Sequence, residues 1–129
     1  EEVTAAPPLD PITDSAAAHR WQVDANSVML FRYSALTFNG HRIHYDLPYS
    51  TNVEGHGGLL VHGPLQATLM LNLACSIGGK LPKHMAYRGV RPLVCGDPIM
   101  VDASPEDATL AACVRGADGN ITMKATVTP

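Results

Sequence analysis

Histidines are concentrated in one stretch of the chain, residues 38–63 (FNGHRIHYDLPYSTNVEGHGGLLVHG). Four of the six histidines lie there: His41, His44, His56 and His62. The same stretch holds further polar side chains and a cluster of glycines: Asn39, Arg42, Tyr45, Asp46, Tyr49, Gly55, Gly57, Gly58 and Gly63. Imidazole titrates near neutral pH and can give or take a proton there. Polar groups in a turn-rich segment beside a regular element are typical of a catalytic loop, so we expect the active site here.

Two residues of this stretch are the main candidates for chemistry. His44 lies in a predicted turn, five positions after Asn39, and dense polar neighbours favour a role as acid or base. A histidine that only makes structural hydrogen bonds is the alternative. Gly63 precedes Pro64 at a predicted helix start, where a free backbone N–H and the helix dipole can stabilise a polarised carbonyl oxygen. The alternative is that Gly63 only makes the tight turn, and the two roles are compatible.

Metal binding and two common hydrolytic mechanisms find little support in the sequence. His41 and His44 form an H-x-x-H pair, and His56 and His62 follow, but no full ligand spacing results and no cysteine joins them. We therefore expect no metal and no cofactor. There is no G-x-S-x-G motif and no phosphate-binding loop, so serine-triad and nucleotide hydrolysis are unsupported.

Length and charge limit the class of protein. The chain has 129 residues, of which 46% are hydrophobic, enough for one domain with a core. Residues 1–20 contain three prolines and many alanines and predict a linker, which leaves residues 21–129 as a single domain. The net charge is −3, so the chain offers no basic field for nucleic acid or an anionic membrane surface.

The cysteines and the apolar runs indicate the compartment. Cys75, Cys95 and Cys113 are odd in number and form no C-x-x-C pair, which favours buried thiols in a reducing environment. No apolar run is long enough to span a bilayer, and no signal-peptide core precedes the domain. We expect a cytoplasmic protein, or a mitochondrial matrix protein if a leader has been removed.

Short elements flank the histidine-rich stretch. Residues 21–25 predict a strand, and Asn26 or Ser27 predicts the cap of a helix that runs to about Leu36. Asp46 predicts the cap of a second, short helix.

A long helix follows directly, beginning at Pro64 and ending before Gly78 and Gly79. Apart from Gln66, its polar residues are spaced to fall on one face: Thr68, Asn72 and Ser76. The remaining surface is apolar or small, which predicts a helix that is mostly buried against a sheet.

Beyond Pro82 the pattern changes to strands. Residues 121–128 alternate between apolar and polar side chains, and Asp118-Gly119 predicts the hairpin turn before them. We predict four antiparallel strands and two turns: strands at about 84–94, 99–103, 108–115 and 121–128, with turns at 104–107 and 118–119. The resulting class is α+β.

Two segments carry a family resemblance: residues 30–46, LFRYSALTFNGHRIHYD, and residues 53–65, which contain VEG and LVHGPL. They resemble the MaoC-like hydratases and dehydratases, most closely the hydroxyacyl-thioester dehydratase and mesaconyl-CoA (methylfumaryl-CoA) hydratase group. By element order the resemblance covers residue 21 to the C terminus. It implies a hot-dog fold, in which a curved antiparallel sheet wraps around one central helix, here residues 64–77.

The resemblance also implies roles for single residues. His44 matches the family's acid–base histidine, and Gly63 matches the backbone N–H donor that holds the thioester oxygen. Asn39 stands where many relatives have an aspartate. An amide cannot act as a base, so Asn39 can only orient water or substrate. We expect five neighbours to bind substrate: His41, Arg42, Tyr45, His62 and Pro64.

The implied activity is the reversible hydration of an α,β-unsaturated acyl thioester carried by CoA or an acyl carrier protein. Arg42 would suit an acyl chain with a second carboxylate, such as mesaconyl. A hot-dog thioesterase and a non-catalytic half of a heteromeric dehydratase are the alternatives. A single hot-dog module leaves sheet edges to be covered, so we expect a homodimer or a hot-dog heterodimer.

Overall fold

One antiparallel sheet and a long helix form the body of the domain. The computed structural model describes residues 17–129. In that part the strands are β1 (His19–Val23), β2 (His84–Gly89), β3 (Ile99–Glu106), β4 (Thr109–Arg115) and β5 (Ile121–Thr128). The helices are α1 (Ser27–Thr37), a 3-10 helix (Arg42–His44), α2 (Leu47–Asn52) and α3 (Gly63–Gly78). The strand order in the sheet is β1-β3-β4-β5-β2, and every neighbouring pair is antiparallel.

The long helix α3 covers one face of the sheet. Its buried residues join inward-facing residues of β3, β4 and β5 in one core that includes Leu65, Met70, Leu73, Val101, Val114 and Val127. The predicted polar face is exposed, and Gly79 ends the helix in a left-handed conformation with φ of 66°. The prediction of a buried helix against a sheet is therefore confirmed. No helix within residues 17–129 is both long and apolar enough to cross a membrane.

Helix α1 is capped at both ends as its sequence predicts. Asn26 Oδ1 accepts a hydrogen bond from the backbone N–H of Met29 at 3.0 Å. At the other end Phe38 adopts φ of 54°, and the Asn39 N–H donates to the Ser34 carbonyl at 2.9 Å. These caps fix where the helix stops, and therefore where the histidine-rich stretch begins.

Removing the cap of α1 should cost measurable stability. We expect Asn26→Ala to lower the free energy of unfolding by about 1 kcal/mol, because one N–H of the first turn loses its acceptor. Asn72→Ala is the control, since Asn72 is exposed in the middle of α3. Urea denaturation of both variants measures the difference. Equal midpoints would show that the cap contributes nothing.

After α3, two strand boundaries differ clearly from the sequence prediction. The strand predicted at 84–94 ends at Gly89, because residues 93–95 leave the sheet and bond with residues 59–61. The predicted turn at 104–107 is shorter, since β3 continues to Glu106 and only Asp107 and Ala108 connect it to β4. Proline in a strand is tolerated here, because Pro105 lies beyond the last residue that pairs with β1.

A buried carboxylate ties three strands together on the other face of the sheet. Asp102 of β3 accepts from Arg20 of β1 at 2.6 and 2.9 Å and from Arg115 of β4 at 3.0 Å. Burial alone would raise the pKa of Asp102, but the two guanidinium groups outweigh it and lower that pKa below its usual value. The predicted bounds of β1, 21–25, were wrong, because the strand begins at His19, inside the predicted linker, and ends at Val23. The rest of the predicted linker, residues 1–16, lies outside the described residues.

The cysteines remain separate thiols. Cys75, Cys95 and Cys113 are free and partly buried. Burial raises the pKa of the Cys95 and Cys113 thiols, so both stay protonated and unreactive at neutral pH.

Candidate active site

The imidazole of His44 is held in one tautomer by the backbone. His44 ends the 3-10 helix with only 8% of its surface exposed. Its Nδ1 lies 2.7 Å from the carbonyl oxygen of Leu60. A carbonyl can only accept, so Nδ1 carries the hydrogen and donates it. In the neutral ring Nε2 therefore keeps the lone pair, which is the form a general base needs.

The carbonyl that orients His44 is itself fixed from two sides. The Leu60 N–H donates to the Ile43 carbonyl at 3.0 Å. On the other side, residues 59–61 exchange backbone hydrogen bonds of 2.7 and 2.8 Å with residues 93–95. Sequence analysis missed Leu60, because the group that acts is a main-chain oxygen and no side-chain pattern marks it.

The surroundings of His44 keep its ring neutral at pH 7. Burial lowers the pKa of His44, the hydrogen bond to the Leu60 carbonyl raises it, and the nearby His41 lowers it. The net direction is downward from 6.5. A histidine with a lowered pKa is unprotonated at neutral pH and available to accept a proton.

Asn39 uses one end of its amide for local structure. Its Oδ1 accepts from the His41 N–H at 3.1 Å, which closes the turn that leads into the 3-10 helix. Within residues 17–129 the Nδ2 group makes no hydrogen bond, so Asn39 keeps its two N–H donors for water or substrate.

Gly63 opens α3 with an N–H that the helix cannot satisfy. It is the first helical residue, and His62 at the N-cap makes no side-chain capping bond. The first N–H groups of a helix have no intrahelical acceptor and carry the positive end of the helix dipole. A Cβ added at Gly63 would lie 3.5 Å from Met123 Cε, which is ordinary contact, so space alone does not require glycine here.

His62 is fully buried and stacks on His44. Its exposed fraction is 0%, and the centroids of the two rings are 3.7 Å apart with an angle of 17° between their planes. His62 Nε2 lies 2.7 Å from Ser34 Oγ of α1. Because His62 directly precedes Gly63 in the chain, this stack connects the candidate base with the candidate N–H donor. The predicted substrate-binding role of His62 stays a prediction, but no part of its ring reaches the surface of this chain.

Arg42 is engaged by its own neighbours. Its guanidinium donates to Asp46 Oδ2 at 2.8 and 3.0 Å and lies 4.1 Å from the centroid of the Tyr49 ring. Tyr49 in turn donates its hydroxyl to Glu54 at 2.8 Å. Arg42 remains exposed despite these contacts, so it keeps N–H donors for a second ligand.

The other predicted substrate-binding residues lie around this arrangement. His41 is exposed and its ring meets the His44 ring edge-on, with centroids 5.7 Å apart. The Tyr45 hydroxyl donates to the Gly40 carbonyl at 2.9 Å. Pro64 is exposed at the start of α3. These roles also stay predictions, since no ligand contact tests them.

Two cavities of the described part of the chain differ in how they lie relative to the candidate catalytic residues. A cavity of about 350 Å³ adjoins Asn39 and is lined also by Phe31, Ser34, Ala35, Phe38, Gly40 and Tyr45. A larger one, about 580 Å³, lies on the outer face of the sheet and is lined by none of the candidate catalytic residues. The smaller cavity is therefore the one beside a candidate catalytic residue, Asn39. Within residues 17–129 no cluster of three metal-ligating side chains occurs.

With this geometry in place, comparison with known proteins identifies the family. Residues 1–95 match the family described as hydroxyacyl-thioester dehydratase type 2. The chain belongs to the hydroxyacyl-thioester dehydratase type 2 family. It is 42% identical over 99 residues to a mesaconyl-C(4)-CoA hydratase of Chloroflexus aurantiacus, a match that covers 77% of this chain and 35% of that protein. The chain thus spans about a third of the length of this curated relative.

Solved structures establish the fold of this family member. The (R)-hydratase from A. caviae involved in PHA biosynthesis aligns with a TM-score of 0.72 at 18% identity, covering 85% of this chain and 92% of that one. A chain of the ChsH1-ChsH2 complex from Mycobacterium tuberculosis aligns with a TM-score of 0.68 at 16% identity, covering 84% and 89%. The predicted α+β hot-dog fold, with α3 as its central helix, is confirmed.

Proposed function

We propose that this chain catalyses the reversible hydration of an α,β-unsaturated acyl thioester. One observation carries the proposal. The His44 ring, whose Nε2 is left unprotonated by the bond of Nδ1 to the Leu60 carbonyl, stacks on the ring of His62, and the next residue in the chain is Gly63 with its free N–H. A base and a hydrogen-bond donor for a developing oxyanion are the two groups that addition of water to a conjugated thioester needs. Family membership and the hydratase relative support the same reaction.

In the hydration direction each proton has a place to go. His44 Nε2 takes a proton from water while the oxygen adds to the β-carbon of the double bond. The electron pair moves to the thioester oxygen, where the Gly63 N–H stabilises the enolate-like charge. The protonated His44 then returns the proton to the α-carbon, and the carbonyl re-forms. Asn39 donates to the water or the substrate and orients it. His44 acts as the base in the first step and as the acid in the second, because the amide of Asn39 can do neither.

The thioesterase alternative needs a carboxylate to activate water against the carbonyl carbon. Helix α3 contains no aspartate or glutamate. The two carboxylates of the histidine-rich stretch are already engaged, Asp46 by Arg42 at 2.8 Å and Glu54 by the Tyr49 hydroxyl at 2.8 Å. The charge arrangement therefore favours hydration over hydrolysis.

A second hot-dog module is part of this proposal. Large apolar side chains are exposed around α1, among them Phe31, Leu36 and Phe38. Exposed apolar patches of this kind mark surfaces that bind another chain or a ligand. One structural neighbour is described as a complex of two proteins, and the curated relative is about three times as long as the aligned segment. We propose that the second module comes from a copy of this chain, another chain or the remainder of a longer one.

The decisive test is an assay of the purified chain with crotonyl-CoA and mesaconyl-CoA, followed through the absorbance of the enoyl thioester. We expect the absorbance to fall with no release of free thiol. Thiol release would show hydrolysis and overturn the proposal. Preference for mesaconyl-CoA would indicate that the site binds a second carboxylate of the substrate, for which the exposed Arg42 is the candidate. Binding of acyl-CoA with no turnover, measured with and without a candidate partner module, would show a non-catalytic half.

A further inference from the structure

The two stacked imidazoles are held by different parts of the fold. His44 is tied to the Leu60 carbonyl, whereas His62 is tied to α1, where its Nε2 lies 2.7 Å from Ser34 Oγ. Tyr33 of the same helix contacts His62 in a T-shaped arrangement, with ring centroids 4.8 Å apart. His62 therefore has a fixed plane of its own and offers a rigid flat surface to the His44 ring.

The stacked pair of rings can carry one positive charge but not two. His62 Nδ1 is buried and has no hydrogen-bond partner within residues 17–129, so a doubly protonated His62 would bury an unpaired N–H. Burial and the nearby His44 lower the pKa of His62 to about 4. Two imidazolium rings at a centroid distance of 3.7 Å would also repel each other. His62 thus stays neutral while His44 gains and loses its proton.

A neutral aromatic ring under a cationic one is a favourable arrangement. The face of an aromatic ring attracts a cation placed over it, and the attraction is stronger where water is excluded. The other titratable rings in contact with the pair are His41, edge-on to His44, and Tyr33, edge-on to His62. Both contacts are T-shaped, with interplanar angles of 85° and 62°, so among the described residues only His62 stacks in parallel on the His44 ring.

We propose that His62 is a positioning residue, whose neutral ring, anchored by Ser34, aligns the His44 imidazole and stabilises its protonated form during turnover. The proposal rests on the proposed role of His44 as acid and base. It assigns a task to a histidine that has no exposed surface and to a serine that sequence analysis did not select.

Two substitutions at position 62 separate the ring face from the hydrogen bond. His62→Phe keeps an aromatic face under His44 and loses the bond to Ser34, while His62→Gln keeps a polar group of similar size and loses the face. We expect His62→Gln to lower the pKa of His44 by about 0.4 to 1.5 units and kcat by about 3- to 30-fold, with KM unchanged. His62→Phe should retain the pKa of His44 and, because it also loses the Ser34 anchor, lower kcat several-fold as Ser34→Ala does.

The readouts are an NMR titration of His44 in the substrate-free full chain and the pH dependence of kcat and KM. Ser34→Ala keeps the buried ring and removes only its anchor, so it serves if the variants of His62 fail to fold. We expect it to lower kcat several-fold with KM unchanged. A folded His62→Gln variant with an unchanged His44 titration and unchanged kcat overturns the proposal. A raised KM at unchanged kcat in both His62 variants also overturns it, because His62 would then bind substrate.

The titration separates this proposal from the proposed function. If the parent chain hydrates no thioester, the shift of the His44 pKa in His62→Gln still supports the coupling between the rings. Its absence would reject the coupling whatever the activity.

Discussion

Replacing His44 with alanine is expected to lower kcat/KM for thioester hydration by about 10² to 10⁴-fold, the usual contribution of a positioned acid–base group. The reason is the tautomer. His44 Nδ1–H donates a hydrogen bond to the Leu60 carbonyl oxygen, with 2.7 Å between nitrogen and oxygen, so Nε2 is the nitrogen that accepts the proton of water. The two carboxylates of the histidine-rich stretch, Asp46 and Glu54, accept hydrogen bonds from Arg42 and Tyr49, so we expect neither to replace it. Steady-state kinetics with crotonyl-CoA or mesaconyl-CoA measure the loss.

The pH dependence of kcat/KM should also report the protonation of His44. The pKa of His44 is lowered by burial, so the base is available at pH 7 and is lost only as the pH falls below 6.5. We expect kcat/KM to decline on the acid side with a midpoint below 6.5, and this acid limb to vanish in His44→Ala.

An exposed histidine provides the matched control for this prediction. His84 lies on β2, away from the histidine-rich stretch, and His84→Ala should leave both the rate and the acid limb unchanged. Activity close to that of the parent chain in His44→Ala would refute the mechanism.

Removing the backbone N–H of Gly63 is expected to lower kcat by about 10² to 10³-fold, the typical cost of losing one oxyanion-hole donor. Proline is the substitution that removes an N–H, and it suits the first position of a helix. The preceding residue, His62, already has φ of −57° and ψ of 135°, which a residue before proline prefers. Position 63 can therefore accept proline without a change in the chain entering α3.

Pro64 has to be changed together with Gly63 in this experiment. A proline disfavours helical backbone in the residue before it when that residue has a Cβ, so any substitution of Gly63 alone would add strain. We therefore compare Gly63→Pro/Pro64→Ala with Gly63→Ala/Pro64→Ala, which differ in the N–H of residue 63. The Cβ that both add lies at ordinary contact distance from Met123, 3.5 Å.

Kinetics of the two double variants decide whether the N–H acts in catalysis. We expect the alanine variant to remain active and the proline variant to lose kcat at a similar unfolding midpoint. Equal kcat values in the two folded proteins would remove Gly63 from the mechanism. If only the proline variant unfolds, Gly63→Ala/Pro64→Ala compared with the parent still reports whether a side chain at this position is tolerated.

Features that depend only on residues close together in the chain could be predicted from the sequence. Caps and periodicity are local, so Asn26 located α1, Asp46 located α2, and the glycines after residue 77 located the end of α3. The alternation in residues 121–128 located β5, because side chains in a strand point to opposite faces in turn. Strand ends were wrong where a distant partner decides them, as in residues 93–95, which bond to residues 59–61 and leave the sheet.

The sequence by itself determined which residues could do chemistry: a histidine in a polar turn, an asparagine five positions earlier, and a glycine at a helix start. Only the tertiary structure decided how they are tuned. The Leu60 carbonyl and the Ser34 hydroxyl lie 16 and 28 positions from the rings they hold, and the His44–His62 stack joins a 3-10 helix to the start of α3. Local patterns report which face of an element is buried. They do not report what a buried group will meet, because that depends on how separate elements pack, and the protonation state of each histidine follows from those contacts.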